Sequence, residues 1–143
     1  MKFAKLDNMS GILDLKQLLK DMSPVLQDGV FVFCTFPESR YGDHAHLEPV
    51  ASVAEAEGLT LVIPHAKADQ FEIAYEGVYK MITLEVHSSL EAVGLTAAFA
   101  TKLGEHGISA NVIAGYYHDH IFVQAAKAEL AVKALREFND ENS

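Results

Sequence analysis

The order of predicted elements in the second half of the chain restricts its fold more than any other feature of the sequence. The apolar segment VYKMITLEV predicts a strand near residues 79–86, and apolar periodicity predicts a helix over residues 90–105. The segments ISANVIAGYY and IFVQ then read as a strand and its return, with HDH near the turn, before a last helix over residues 127–138. This β-α-β-β-α order lacks one strand of the βαββαβ ferredoxin-like arrangement, in which helices cover one face of an antiparallel sheet.

The first half of the chain repeats the same order of elements less clearly. MKFAKLD is read as a short strand, Gly11–Met22 as a helix and VFVFCTF as a buried strand. A charged segment with a short helix over Val50–Ala56 follows, then a strand over Leu59–Ile63 and a short helix beginning at Pro64. We therefore predict an α+β protein of two units, residues 1–76 and 77–143. The strand that the second unit lacks comes from the other half, or that sheet edge stays open.

Charge and composition exclude several classes of function. The net charge of −9 disfavours binding to nucleic acid or to an anionic membrane surface. No segment reaches the ~20 apolar residues of a membrane span, and the N-terminus lacks the apolar stretch of a signal peptide. The single cysteine, Cys34, lies in a predicted buried strand and is interpreted as an inert core thiol. These features predict a cytoplasmic protein.

The turn before the second-half helix contains Gly94, and two interpretations of this glycine remain open. Ser88 and Glu91 have capping-box spacing at a helix start, so Gly94 would lie in the first turn, where glycine costs roughly 1 kcal/mol relative to alanine. It is either a packing glycine or one that leaves the backbone amides open to a carboxylate or another anion at the positive end of the helix dipole. Asn111 has the same ambiguity, as an exposed edge residue or as a ligand for a small polar molecule.

The histidines and carboxylates do not form a recognisable catalytic or metal motif. His118 and His120 alternate with Asp119, so the two imidazoles share one strand face while the carboxylate takes the other. Asp119 is instead the candidate counter-charge for a ligand ammonium group. No catalytic motif is recognised, and we predict no enzyme activity, no metal and no cofactor.

The segment ITLEVHSSLEAVGLTAAFATKLGEHGISANVIAGYYHDHIFV resembles an ACT domain, the small regulatory module of amino-acid metabolism. The resemblance is closest to small stand-alone proteins with two ACT-like units, and in the first half it rests on element order and EGLTLV. It implies two ferredoxin-like units whose antiparallel sheets are joined side by side. It also implies a small ligand, often an amino acid, between units. Amino-acid sensors tend to have an acidic residue at the position of Ala92, so alanine there argues against a basic amino acid as the ligand.

The resemblance also implies which residues contact the ligand. They lie in the turn after the first strand of the unit, in its second strand and near the hairpin: Ser88, Ser89, Leu90, Glu91, Ala92, Val93, Gly94, Asn111, Val112, Ile113 and Asp119. The expected function is non-enzymatic, allosteric regulation by a homodimer that acts through a protein partner. The alternatives are an interaction module without a small ligand and a histidine-dependent metal protein.

Overall fold

The computed structural model describes residues 11–86 and 93–140, and within them two compact units. One unit, here called the central unit, is Asp28–Lys80, and the other, the split unit, combines the chain up to Gln27 with the chain from Met81 onward. The predicted division into residues 1–76 and 77–143 follows the sequence repeat rather than this grouping and stays a prediction. Among the described helices, none is both long and apolar enough to cross a membrane.

Among its described residues, the split unit contains three α-helices and four antiparallel strands, one of which begins two residues earlier, in the central unit. The helices are α1 (Gly11–Asp21), α3 (Leu95–Glu105) and α4 (Ala128–Asp140), and the strands are β1 (Ser23–Leu26), β5 (Tyr79–Glu85), β6 (Asn111–Ala114) and β7 (Asp119–Gln124). The strand order is β1-β5-β7-β6. Its core consists mainly of aliphatic and phenylalanine side chains: Met22, Ile82, Leu84, Leu95, Phe99, Leu103, Ile121, Val123 and Leu135.

The strand missing from the second half is supplied by β1, which pairs antiparallel with β5 from Ser23↔Glu85 to Leu26↔Ile82. Pro24 lies in this strand, although proline after a helix is typical of a turn. Within the described chain β1 pairs only with β5, and an edge strand tolerates a proline because it leaves one side of its backbone unpaired.

The central unit is a three-stranded antiparallel sheet with one short helix. It comprises β2 (Phe31–Phe36), β3 (Ala51–Glu55), β4 (Gly58–Pro64) and α2 (His65–Gln70), and β2 also pairs with β5 at Phe31↔Tyr79. Its core is formed by Val32, Cys34, Leu47, Leu59, Leu61, Ile63 and Ala68.

Most predicted elements are confirmed, with three corrections. The predicted helix over Val50–Ala56 is wrong, because Ala51–Glu55 pairs with β4 as the edge strand β3. Apolar periodicity predicts Leu130 on the inward face of the last helix, together with Ala131 and Leu135, but Leu130 is 45% exposed, whereas Val132 is buried. Gly94 was placed inside a helix over residues 90–105 but precedes α3 as its N-cap residue. The predicted N-terminal strand and the Ser88–Glu91 capping box lie outside the described residues.

Candidate functional site

Gly94 is the residue where the chain enters α3, and its backbone explains why it is glycine. Its φ of 94° lies in the left-handed region that side chains disfavour. A Cβ at this position would also lie 3.1 Å from Leu15 Cδ2 of α1. The direction left open by the missing side chain therefore faces a leucine of the protein, which supports the packing interpretation of Gly94.

The surface next to Gly94 is a shallow groove of about 350 Å³ within the split unit. Small side chains of α3, Ala97, Ala98 and Thr101, form its floor, and Phe138 of α4 forms one side. The Lys102 ammonium lies 4.8 Å from the Phe138 ring centroid, which fixes that side by a cation–π contact. Val93, the residue directly before Gly94, is 87% exposed and faces solvent.

The second predicted group of ligand residues lies on the β6–β7 hairpin. Asn111 is exposed, and its side-chain amide donates to the Phe122 carbonyl at 3.1 Å, while Val112 and Ile113 are half-buried. Asp119 begins β7 opposite Ala114 and is only 8% exposed. None of these residues lines the groove beside Gly94. Ser88, Ser89, Leu90, Glu91 and Ala92 lie outside the described residues, so the predicted site as a whole stays a prediction.

The hairpin gives part of the HDH segment a structural role. Gly115 donates its N–H to the His118 carbonyl at 2.9 Å, and a Cβ on Gly115 would lie 2.7 Å from that same oxygen. His120 Nδ1 lies 3.0 Å from the Thr83 hydroxyl, which also accepts a hydrogen bond from Gln27 at 2.9 Å. The described residues contain no group of three or more side chains placed to hold a metal ion.

The sequence reading missed a cleft of about 750 Å³ in the central unit. It lies between β2, Thr60 of β4 and residues 72–76, which follow α2, and its aromatic and acidic lining residues include Phe33, Phe36, Glu72, Tyr75 and Glu76. The available signal was FEIAYEG, where acidic and aromatic residues alternate directly after a short helix. The sequence analysis instead took the β2 aromatics as core and assigned no role to this segment.

Sequence and structural comparisons identify the family. ACT-domain family models match residues 10–80 and 76–137. A Vibrio cholerae protein of unknown function, described as a possible transport protein, is 58% identical, with a TM-score of 0.84 over 91% of this chain and 99% of that one. The chain therefore belongs to the ACT-domain family, whose domains are regulatory modules.

More distant structures share the fold. A protein from Agobacterium tumefaciens is 15% identical, with a TM-score of 0.69 over 82% of this chain and 89% of its own. The regulatory subunit of aspartate kinase from Thermus thermophilus is 10% identical, with a TM-score of 0.55 over 80% of this chain and 95% of its own. No curated protein sequence matches the chain.

Proposed function

We propose that this protein is a non-enzymatic regulator that binds an amino acid and transmits its binding to a protein partner. Two observations support the proposal: both halves belong to the ACT family, and the fold is shared with a regulatory subunit of aspartate kinase. Binding would shift the equilibrium between conformations or assembly states, which is how a protein without chemistry of its own produces an output.

The proposed ligand site is the turn from Ser88 to Gly94, together with Asn111, Val112, Ile113 and Asp119. The ligand carboxylate would accept hydrogen bonds from backbone amides at the start of α3, where the helix dipole favours negative charge. This helix has eleven residues, and the left-handed Gly94 directs the chain into it. Asp119 would offset the ligand ammonium group.

A thermal-shift screen of the standard amino acids, followed by calorimetry on any hit, tests this function. A specific ligand at ~100 times its Kd raises stability by about 2.7 kcal/mol, which is readily measured as a rise in Tm. Gly94→Ala and Asp119→Asn should reduce that rise relative to their own unliganded Tm. Gly104→Ala is the matched control, because a Cβ there meets nothing within 4 Å. If no amino acid shifts the Tm at a concentration of about 10 mM, the proposal is rejected. A Kd of that size corresponds to a binding free energy of about −2.7 kcal/mol.

The contact at Leu15 favours a second candidate, a protein-interaction module that binds no small ligand. Leu15 Cδ2 lies 3.1 Å from the position that a Cβ of residue 94 would take, so α1 covers one approach to the turn. In that case the wild-type protein shows no amino-acid-dependent Tm shift, and Leu15→Ala does not create one. The predicted homodimer is tested separately by light scattering of the purified protein with and without each hit.

A further inference from the structure

The cleft of the central unit has the size and the walls of a small-molecule site. Its volume of about 750 Å³ falls within the ~300–1,000 Å³ typical of ligand pockets. Such pockets combine apolar and aromatic walls with a few polar groups, and here Phe36, Ile73 and Tyr75, which pack against the same core, are the apolar and aromatic lining residues.

One of the aromatic walls is held in place by a second ring. Phe36 stacks on His44 at 3.8 Å, and His44 in turn lies 3.0 Å from the Ser39 hydroxyl. Rings that are fixed before binding lose little conformational entropy when a ligand arrives.

The second aromatic wall, Tyr75, is fixed by a hydrogen-bonded group. Its hydroxyl donates its one hydrogen to Asp69 Oδ1 at 2.9 Å. In its 2.7 Å contact with His65 Nε2, the hydroxyl oxygen therefore accepts a hydrogen bond from the imidazole N–H. The hydrogen bond to Asp69 raises the pKa of Tyr75 above its usual value, and the ring stays neutral and electron-rich at physiological pH. The His65 ring meets Tyr75 edge-on at 5.3 Å, which completes the support of this wall.

The polar groups of the cleft carry negative charge. Glu72 and Glu76 line it, and its described lining contains no lysine, arginine or histidine. Aromatic faces attract cations through the ring quadrupole, and carboxylates do so through their charge, so both kinds of wall select the same ligand. The same lining therefore offers no positively charged side chain to a carboxylate or a phosphate.

We propose that this cleft binds a small organic cation, an amine with an apolar body and no carboxylate. The ammonium group would lie near Glu72 and Glu76 and the rings of Phe36 and Tyr75, and the apolar body would contact Ile73. This site lies within the central unit and does not depend on the amino-acid site proposed at the Gly94 turn.

Calorimetric titration with phenethylamine as the probe tests the proposal on the full chain. Phenethylamine should bind, whereas phenylalanine, which adds a carboxylate, and phenylethanol, which lacks the charge, should bind at least about tenfold more weakly. Glu72→Gln and Glu76→Gln should each weaken amine binding by about threefold, the range of a partly exposed charge pair. Phe36→Leu should weaken it while leaving both carboxylates in place.

Glu57→Gln is the matched control, because Glu57 is an exposed carboxylate of the same unit that does not line the cleft. It should leave amine affinity unchanged. The proposal is overturned if phenethylamine does not bind the wild-type protein at about 10 mM. It is equally overturned if phenylethanol binds as tightly, or if Glu57→Gln weakens binding as much as Glu72→Gln does. Circular dichroism of each variant checks that the fold is retained.

Discussion

At the residue scale, the structure explains why residue 94 is glycine, which its position in the sequence does not reveal. The pattern around Gly94 predicted a helix start but could not separate a ligand-binding turn from a packing contact. The decisive facts are a φ of 94° and a leucine 3.1 Å from the missing Cβ, and that leucine is nearly eighty residues away in sequence. A local sequence pattern does not show a contact between residues so far apart in the chain.

Replacing Gly94 by alanine should therefore destabilise the protein by about 1–3 kcal/mol, through backbone strain and the clash with Leu15. In a Leu15→Ala background the cost should be smaller, because only the strain remains. Gly104→Ala should instead stabilise the protein by roughly 0.5–1 kcal/mol. Alanine loses less backbone entropy than glycine in a helix, and a Cβ at this position meets no other atom within 4 Å. Urea denaturation of the four variants and the wild type measures each term. Equal costs of Gly94→Ala in both backgrounds would show that the Leu15 contact is unimportant.

Cys34 should behave as the inert core thiol that its strand predicted. Its Sγ donates to the Leu61 carbonyl at 3.5 Å, and burial raises the pKa of the Cys34 thiol. Because the pKa is higher in the folded protein, the thiol of the unfolded chain ionises first as pH rises. The folded state therefore keeps its full stability below the unfolded pKa of about 8.5 and loses stability as pH rises from there through the folded pKa. The unfolding free energy of the wild type should fall with pH above about 8.5 more than that of Cys34→Ala. Fast alkylation of native Cys34 near neutral pH would contradict this.

At the element scale, local preference identified the buried strands and the long helices but failed at the sheet edge. ASVAE, with two alanines and a glutamate, was read as helix, yet Ala51–Glu55 pairs with the part of β4 from Val62 to Gly58. Pairing with a neighbouring strand outweighed the modest helix preference of those residues. The strands VFVFCTF and LTLVI were predicted correctly because a continuous apolar run is typical of a strand buried on both faces.

Docking of α1 should depend on Asn139. Its side-chain amide lies within hydrogen-bond distance of three carbonyls at the end of α1, those of Leu19 at 3.3 Å, Lys20 at 2.9 Å and Met22 at 2.7 Å. Asn139→Ala removes these bonds from the helix end and should cost about 1–3 kcal/mol. Hydrogen exchange should accelerate in α1 more than in α3. Lys133→Ala, an exposed change on α4, is the control and should leave both rates unchanged.

The end of α2 holds a glutamate where helices usually place glycine. Ile73 N–H bonds to the Ala68 carbonyl at 2.8 Å and Glu72 N–H to that of Asp69 at 3.3 Å, with Glu72 at a φ of 55°. This is the Schellman pattern, whose left-handed position favours glycine. Glu72→Gly should raise the unfolding free energy by about 1 kcal/mol in urea denaturation and at the same time weaken phenethylamine binding. A destabilised Glu72→Gly variant would contradict the strain argument.

At the scale of the whole molecule, element order predicted the fold class, and the residues of the second half carried the family resemblance. Both halves match ACT-domain models. What the repeat could not predict is that Ser23–Leu26 completes the sheet of the second half, since the segment lies in the first half of the sequence. For the same reason, the cleft of the central unit was not predicted, because its walls come from β2, β4 and the segment after α2.

The most direct test of the regulatory account is an amide NMR titration of the full chain with each standard amino acid. The account predicts that one of them, or a small group of similar side chains, shifts the backbone amides of Gly94, Leu95 and Thr96 in a saturable way, with much smaller changes in the cleft of the central unit. If no amino acid shifts those three amides at about 10 mM, or if the shifts fall elsewhere, the Gly94 turn does not bind a carboxylate and the account is contradicted.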